Sequence, residues 1–487
     1  MDTSFVIWWV HIATNGEFNM SNMLINLIMS TDSYKFGHYL QYPEGTEYVS
    51  SYIESRGLSS EVKDEWEDEV VFFGLQGYIK EFLSQRITMD MINEADAYCK
   101  EHGVPFNRKG FEGILFDFAG FWPVEIQALP EGTVGKSHNA LVQIVNTHPK
   151  YYWVTSFLET ALLRAVWYPT TVATQSREIK KVIAKYLKET TGSTDGIDFM
   201  LHDFGARGVS SRESAQIGGS GHLVNFMGTD TGEAVIWLRK NYNEPMAAYS
   251  VPASEHSTMT SWGGREGEVK SMKNMLNQFA GKYPIIACVS DSYDIYNAIE
   301  NLWGGELYED VVGLEKLGSK LVVRPDSGDP TTVPVECIKL LMDKFGYTIN
   351  EQGYKQLPTF VGVLQGDGIN ITSIKQILEN MKREGLAASN IVFGMGGALL
   401  QKVDRDTLKF AMKASAICVN GEWYDVFKEP ITDKGKLSKR GRQAVIKNGD
   451  NLYTLREDKL DIKDKNLLEK VFRDGTLLRD ENLNTIR

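Results

Sequence analysis

The sequence predicts an α/β protein built on a parallel, barrel-like sheet. Two observations carry this. After residue 195, short apolar or β-branched runs alternate with amphipathic helical stretches, the pattern of successive βα units. Each run ends in a polar, often acidic, residue or in glycines: Asp203, Asp230, Glu255/His256, Asp291, Arg324/Asp326, Asp367 and Gly396/Gly397. Polar residues at nearly every strand end favour a closed barrel, whose chemistry sits on that rim. An open doubly wound sheet concentrates its site at one switch point.

Taken in order, residues 1–22 form an extension of unknown order with no basic n-region and no small-residue cleavage pattern. Tyr48–Ser55 alternates as a strand does, and Val124–Leu129, Gly132–Val134 and Leu141–Val145 are short strands joined by turns. From Tyr151 to Trp167 apolar residues recur at helical spacing, and this helix is expected to stop before Pro169. Thr174–Glu189 is expected to be a second helix, ended by Thr191-Gly192-Ser193. The clearest stretch runs from Lys320 to Gly397. There Leu321–Val323 is a buried strand, and Val335, Ile338, Leu341 and Phe345 share a helix face. Phe360–Leu364 is a second strand, and Ile374, Ile377, Leu378 and Met381 mark a helix closed by Gly385. Ile391–Phe393 is a third strand.

A chain of 487 residues, 42% hydrophobic and 24% charged, can bury a large core in roughly two to four domains. Its net charge of 52 − 64 = −12 argues against a nucleic-acid partner, because phosphate backbones need clustered positive charge. Cys99, Cys288, Cys337 and Cys418 form no C-x-x-C pair, which fits a reducing cytoplasm and neither disulfide framework nor zinc site. The longest uninterrupted apolar run, Phe5–Val10, falls far short of the ~20 residues that span a membrane, so no membrane association is expected.

Four sets of residues can carry chemistry. His256 stands at a predicted strand end beside Glu255, and a carboxylate can fix the tautomer of such a ring. A lone histidine is more often structural, and the rim position is what singles this one out. Asp203, Asp230, Asp291, Asp294, Asp326 and Asp367 follow or end strand-like runs. Each alone reads as a helix cap; together on one rim they would repel one another without Mg²⁺ or substrate hydroxyls between them. Gln365-Gly366-Asp367-Gly368 and Gly394-Met395-Gly396-Gly397-Ala398 precede helices, where exposed amides can hold phosphate. Arg207 and Arg324 lie in rim segments, while Lys428, Lys436, Lys439, Arg440 and Arg442 cluster near the C-terminus, as a solvated face or a polyphosphate grip. Neither a Walker A motif nor a G-x-G-x-x-G fingerprint is present. The residues by themselves describe a barrel-like enzyme for a phosphorylated, hydroxyl-bearing substrate with a divalent metal.

From Ser30 to about Phe472 the chain resembles the nicotinate/nicotinamide phosphoribosyltransferase family of the type II fold. The resemblance rests on TDSYKFGHYLQYP, VATQSREIKK, LHDFGARGVSS, GTDT, YSVPASEHST, VSDSYDIYNA, RPDSGDP, QGDG and GMGGALLQK, in that order. It implies an irregular (β/α) barrel with a second, β-rich α+β domain formed from N- and C-terminal segments. The corresponding division is 23–150 and 401–487 for the β-rich part and 151–400 for the barrel. It implies transfer of phosphoribose from phosphoribosyl pyrophosphate to nicotinamide, with Mg²⁺, with ATP as co-substrate, and with active sites shared across a head-to-tail homodimer.

Roles carried by the resemblance follow residue by residue. Phe204 and the partner's Tyr34 would sandwich the pyridine ring. Asp230 would accept from the carboxamide N–H and repel a nicotinate carboxylate; Arg324 and Arg207 would assist. Asp326, Gly366 and Asp367 match ribose-binding positions, Gly396 and Gly397 the 5′-phosphate turn with Arg405 reaching over it, and Arg56, Lys413 and Lys428 the pyrophosphate-gripping cations. His256 matches a phosphorylated histidine, with Glu255 or Asp291 to orient it. Asp32, Lys436 and Ser438 lie in family-like segments without an assigned role. Met395 stands where the family usually has serine, which could alter how the turn holds its ligand. Rival expectations are nicotinate phosphoribosyl transfer, which Asp230 disfavours, and a non-catalytic protein retaining the fold. A Schiff-base aldolase would need a lysine ending a strand, whereas Lys320 precedes its strand.

Overall fold

The structure is a computed structural model and describes residues 26–487, so the extension read at 1–22 lies outside it. Three main strands come from the N-terminal part: β1 (Thr46–Glu54), β2 (Val124–Ala128) and β3 (Ala140–Asn146). The middle supplies β4 (Leu201–Asp203), β5 (Gly228–Thr229), β6 (Ile285–Val289), β7 (Lys320–Arg324), β8 (Val361–Gln365) and β9 (Ile391–Met395). The C-terminal part adds β10 (Ala411–Val419), β11 (Glu422–Asp425), β12 (Glu469–Arg473) and β13 (Thr476–Leu477).

These strands form two sheets. Seven strands pair in the order β11-β10-β1-β3-β2-β12-β13, mixing N- and C-terminal segments. β10 lies antiparallel to β1, with Ile53 opposite Met412. The other sheet has six strands in the order β5-β4-β9-β8-β7-β6, and every pair is parallel. This is a parallel half-barrel. The segment 249–253 touches both of its edges: Tyr249 bridges Gly228 on β5 and Ala253 bridges Ala287 on β6, both in parallel sense.

Helices cover the outside of the parallel sheet, as βα alternation requires. Val333–Phe345 buries Val335, Ile338 and Leu341, and Ile371–Arg383 buries Ile374, Ile377, Leu378 and Met381. The apolar spacing in the sequence had placed these same residues inward. One expectation fails. The helix expected to end before Pro169 and the one beginning at Thr174 are a single helix, Glu159–Thr191, with Pro169 inside it. A neighbouring strand segment stitches the helix across this point. Thr170 Oγ1 accepts from the Phe73 amide at 3.2 Å, and Thr174 Oγ1 accepts from the Val71 amide at 2.9 Å. Pro169 packs on Gly74, where a Cβ would lie 2.3 Å from the proline Cγ. Tertiary docking thus overrides the local break.

All four cysteines are buried and free. Among the described residues no helix is long and apolar enough to cross a membrane.

Candidate functional site

The carboxyl ends of the parallel strands gather most of the predicted residues, because a parallel sheet with its helices outside sends every strand toward the same rim. Two of the six aspartates do not belong to that rim. Asp203 is fully buried; its Oδ1 accepts from the Gly205 amide at 2.7 Å and its Oδ2 from Thr229 Oγ1 at 3.4 Å. Burial, the larger influence, pushes its carboxyl up to about 6 against those hydrogen bonds. Asp294 accepts from the amides of Tyr296 and Asn297, both at 3.0 Å, and is a helix cap. These two brace turns.

A cavity of about 490 Å³ opens between the strands. Phe204, Asp230, Ser250 and Arg324 line it at the carboxyl ends, above Val322 and Leu364. Phe204 is held by its amide, which donates to the Met395 carbonyl at 2.9 Å. Its ring lies over two glycines: a Cβ on Gly394 would sit 2.0 Å from Phe204 Cε2, and one on Gly366 would sit 3.4 Å away. Gly394 therefore creates the space the ring occupies, while Gly366 meets it at an ordinary contact distance. Asp230 is exposed at the mouth and accepts from Ser250 Oγ at 2.5 Å through Oδ1, leaving Oδ2 available. Arg324 has a buried Nε without a hydrogen-bond partner, 4.0 Å from Asp326 Oδ1.

Next to this mouth stands His256, 45% exposed, at the start of the short helix His256–Thr260. Its Nδ1 lies 3.1 Å from Ser292 Oγ, and its Nε2 lies 3.6 Å from both Asp291 Oδ1 and Asp326 Oδ2. Asp291 is buried, and its Oδ2 accepts from the Asp326 amide at 2.9 Å and from Ser327 Oγ at 2.5 Å. Its Oδ1 has no hydrogen-bond partner. A half-exposed imidazole whose ring nitrogens face a hydroxyl and two carboxylates can be held in one orientation while it exchanges a proton or a phosphoryl group. Glu255, expected to orient this ring, does not. It joins Thr258 in a capping box, and Ser257 Oγ donates to its carboxylate. At the start of this short helix the neighbouring hydroxyls engage Glu255 instead: Ser257 Oγ its carboxylate, and Thr258 Oγ1 its amide at 3.2 Å.

Gly396 follows β9, and Gly397 opens the short helix Gly397–Leu400. A Cβ on Gly208 would lie 3.1 Å from Gly397 Cα, so a glycine at 208 eases the approach of the Arg207 segment, whereas a Cβ on Gly397 would make only an ordinary contact, 3.9 Å from the Gly208 carbonyl. Arg207 and Asp367 are exposed beside the mouth. Met395 is fully buried in the core, so the residue that departs from the family pattern does not enter the turn. Arg405 is exposed and pairs with Asp406 at 3.0 Å; no hydrogen bond among the described residues takes it to Gly396 or Gly397.

The remaining predicted residues form a second group on the antiparallel sheet. Lys413 lies on β10, and burial first, then Lys428, Arg56 and Lys35, holds its amine below the ordinary lysine value against the pull of Glu159. Lys35 pairs with Glu159 at 2.7 Å, and its Nζ lies 5.3 Å from the ring centre of Tyr34, which is 63% exposed. In the C-terminal cationic cluster, Lys436 pairs with Asp433, Lys439 with Glu54, Arg440 with Glu429 and Arg442 with Glu457. Lys428 has no ion pair among the described residues. Most of that cluster is a neutralised face, and Lys428 alone joins Lys413 and Arg56. No hydrogen bond or ion pair among the described residues links this group to the rim.

Sequence reasoning missed the serines that set the site. Ser250, Ser292 and Ser327 each donate to or face a rim acid or His256. All three lie inside the motifs quoted above, but 20 to 36 residues from the charged groups they contact, so no local signal pairs them.

Among the described residues no group of three or more histidine, cysteine, aspartate or glutamate side chains gathers to hold a metal. The unpartnered Asp291 Oδ1 and the half-exposed Asp326 do fit Mg²⁺ in its usual manner, one or two carboxylates completed by substrate phosphates and water.

A ring-sized cavity whose mouth is shared by carboxylates, an arginine and glycine turns is characteristic of enzymes that act on small ringed substrates at the rim of a parallel sheet. The particular family follows from the sequence: the chain belongs to the nicotinate phosphoribosyltransferase family, whose model matches residues 199–476. Residues 26–126 match the nicotinamide phosphoribosyltransferase N-terminal domain. A nicotinamide phosphoribosyltransferase of Xanthomonas campestris is 48% identical over 95% of this chain and 98% of its own length. One from Acinetobacter baylyi is 33% identical over 95% and 96%. Among solved structures, a nicotinate-nucleotide pyrophosphorylase from Pyrococcus furiosus superposes with a TM-score of 0.59 at 18% identity, covering 97% of this chain and 96% of that one. Human nicotinic acid phosphoribosyltransferase does so with 0.59 at 14%, covering 94% and 92%. At these identities the superpositions speak to the fold.

Proposed function

We propose that the protein is a nicotinamide phosphoribosyltransferase, transferring the phosphoribosyl group of phosphoribosyl pyrophosphate to nicotinamide. Asp230 at the mouth of the ring-sized cavity carries this reading. One oxygen is held by Ser250, and the other is placed to accept from a carboxamide N–H. A nicotinate carboxylate has no proton to offer there and meets a like charge. Phe204 provides a face for the ring, and Arg324 a donor for the carboxamide oxygen.

The pyridine nitrogen attacks the ribose anomeric carbon as the bond to pyrophosphate breaks, through an oxocarbenium-like state. Such a step needs alignment and charge stabilisation more than covalent help. Asp326 and Asp367 would hold ribose hydroxyls, and Gly396 and Gly397 the 5′-phosphate. Mg²⁺, when bound, would neutralise the leaving pyrophosphate. Arg56, Lys413 and Lys428 would grip that pyrophosphate, and Tyr34 would close over the ring. No hydrogen bond or ion pair among the described residues joins these four to the rim, and we read a homodimer in which a second copy completes each site. His256 would take the γ-phosphoryl of ATP, with Ser292 and Asp291 orienting it. We read the half-barrel together with segment 249–253 as an irregular barrel spanning 151–400, and 23–150 with 401–487 as the β-rich domain. Four free thiols support a cytoplasmic setting.

The test is mononucleotide formation from phosphoribosyl pyrophosphate and Mg²⁺, with nicotinamide and nicotinate in parallel, each with and without ATP. Turnover of nicotinamide in preference to nicotinate is expected, with an ATP-dependent gain that His256→Asn abolishes. Preference for nicotinate would overturn the role of Asp230. No turnover of either by a folded dimer would overturn the enzyme reading.

A further inference from the structure

The helix that opens with Gly397 has four residues, too few to satisfy its own backbone. Its carbonyls are nonetheless engaged. The Gly396 carbonyl accepts from the Leu399 amide at 3.0 Å, and the Gly397 carbonyl from the amides of Gln401 and Lys402 at 2.8 and 3.0 Å. The next two partners are side chains of the long helix Glu159–Thr191. Gln175 Nε2 donates to the Ala398 carbonyl at 3.1 Å, and Tyr168 Oη to the Leu400 carbonyl at 2.9 Å. These two residues stand seven apart, two helical turns, and so share one face. Between them lie Thr170 and Thr174, which stitch the helix to residues 71–73, so the face is carried on an anchored part of the helix. Gln175 is buried, and the bond to Ala398 is its one side-chain hydrogen bond among the described residues. Burying an amide for a single bond costs stability, and what that bond fixes is the short helix. Tyr168 Oη also lies 3.2 Å from the Ser214 carbonyl, on the helix Arg212–His222 that follows Arg207. A Cβ on Gly218 of that helix would sit 2.3 Å from the same oxygen, so the glycine admits the hydroxyl. One phenol thus touches both segments that meet at Gly208 and Gly397.

We propose that Tyr168 and Gln175 are positioning residues for the 5′-phosphate. They hold the short helix from behind by its carbonyls and so set where the amides of Gly396 and Gly397 aim. Helix amides point toward the first turn and carbonyls toward the last, so clamping one end orients the other. Neither side chain lines the ring cavity. Their role rests on the reading that these two glycines receive the phosphate, and it predicts an effect confined to ligands that carry one.

The experiment is calorimetric titration of the full chain with nicotinamide mononucleotide and with nicotinamide riboside, the same molecule without its phosphate. The parent is compared with Tyr168→Phe, Gln175→Met and the double variant. The mononucleotide is expected to bind each single variant roughly two- to tenfold more weakly, the worth of one neutral hydrogen bond, and the double variant more weakly again. Riboside affinity should stay unchanged throughout. Phenylalanine and methionine keep the packing volume, melting temperature is the folding control, and either single variant decides the question without the double. Equal mononucleotide affinity in parent and folded variants, or an equal loss for both ligands, would overturn the positioning role. A parent that binds both ligands alike would instead overturn the placing of the phosphate at Gly396 and Gly397, and the positioning role with it.

Discussion

Replacing Asp230 by asparagine changes one charge at the cavity mouth and little else. Ser250 Oγ can still donate to the retained carbonyl oxygen, as it does to Asp230 Oδ1 at 2.5 Å, so the new amide nitrogen faces the substrate. Nicotinamide then loses a hydrogen bond to a charged acceptor, about 1.5–3 kcal/mol. That is a fall of roughly 10- to 150-fold in kcat/KM. For nicotinate the parent imposes repulsion between two carboxylates about 4 Å apart. This costs about 4 kcal/mol at an effective dielectric constant of 20 and about 1 kcal/mol in bulk water. Asp230 is exposed, so the value lies between these limits. The variant removes this repulsion and offers the acid a donor. Nicotinamide turnover should fall while nicotinate turnover rises, and the ratio of the two kcat/KM values should narrow at least 100-fold. Steady-state kinetics on both substrates, with melting temperature as a folding control, decides it. A folded variant whose ratio matches the parent's would refute the assignment of discrimination to this carboxylate.

Three further outcomes follow from particular contacts. Gly394→Ala places a Cβ 2.0 Å from the Phe204 ring, so it should destabilise by about 1–3 kcal/mol and raise the nicotinamide KM, whereas Gly366→Ala, at 3.4 Å, should change KM only a few-fold; melts and KM values on both check this. Lys413→Met should weaken product inhibition by pyrophosphate about tenfold, with the melting temperature as folding control, because the variant loses a half-buried cation together with the hydrogen bond its Nζ donates to the Met412 carbonyl at 2.6 Å. His222 is buried between Ser176 Oγ, 3.0 Å from Nδ1, and the Gly228 carbonyl, 3.2 Å from Nε2, and burial holds its ring down at about 3. The folded state keeps it neutral while the unfolded chain protonates near 6.5, so this stability is complete above pH 6.5 and drains as pH falls toward 3. Urea midpoints of the parent and His222→Gln between pH 7 and 5 should converge by up to about 1.4 kcal/mol per pH unit. Taking the difference cancels Glu131, which burial raises to about 7 and whose contribution runs the other way, being lost as pH rises.

Strand ends were legible because a parallel sheet has a simple signature: an apolar run of about five residues, then the residue that must face the rim. That rule found Asp230, His256, Asp291, Arg324, Asp326, Asp367 and the Gly396 turn without any knowledge of pairing. It could not tell which acids turn inward. Asp203 ends β4 as plausibly as Arg324 ends β7, yet the helix Arg212–His222 packs where its side chain points, and it is fully buried. Pro169 was misread for the same reason: the hydroxyls of Thr170 and Thr174 bond to a segment some 100 residues earlier, which no local rule detects. Glu255 was misassigned because a carboxylate beside a histidine and one starting a helix are the same letter, and the hydroxyl of Ser257 decided between them.

The division of cations from acids gives the site its chemistry. A protein with a net charge of −12 repels polyphosphate on average, so affinity must come from a local excess of positive charge. The structure concentrates that excess beside the antiparallel sheet, at Lys413, Lys428 and Arg56, where burial first, and then repulsion from the neighbouring cations, lowers the Lys413 amine. The opposite excess lies on the rim, where Asp291 and Asp326 both stand 3.6 Å from one imidazole nitrogen. Each group is destabilised by its own like charges, and each would be relieved by a ligand of the kind the other cannot hold: phosphates for the cations, Mg²⁺ and ribose hydroxyls for the acids. A substrate carrying a ribose at one end and a pyrophosphate at the other relieves both at once. If the two groups meet across a dimer, as proposed, phosphoribosyl pyrophosphate should tighten the dimer. Sedimentation with and without it should therefore show a lower dissociation constant for the bound form, and an unchanged constant would argue that the two groups never share a ligand.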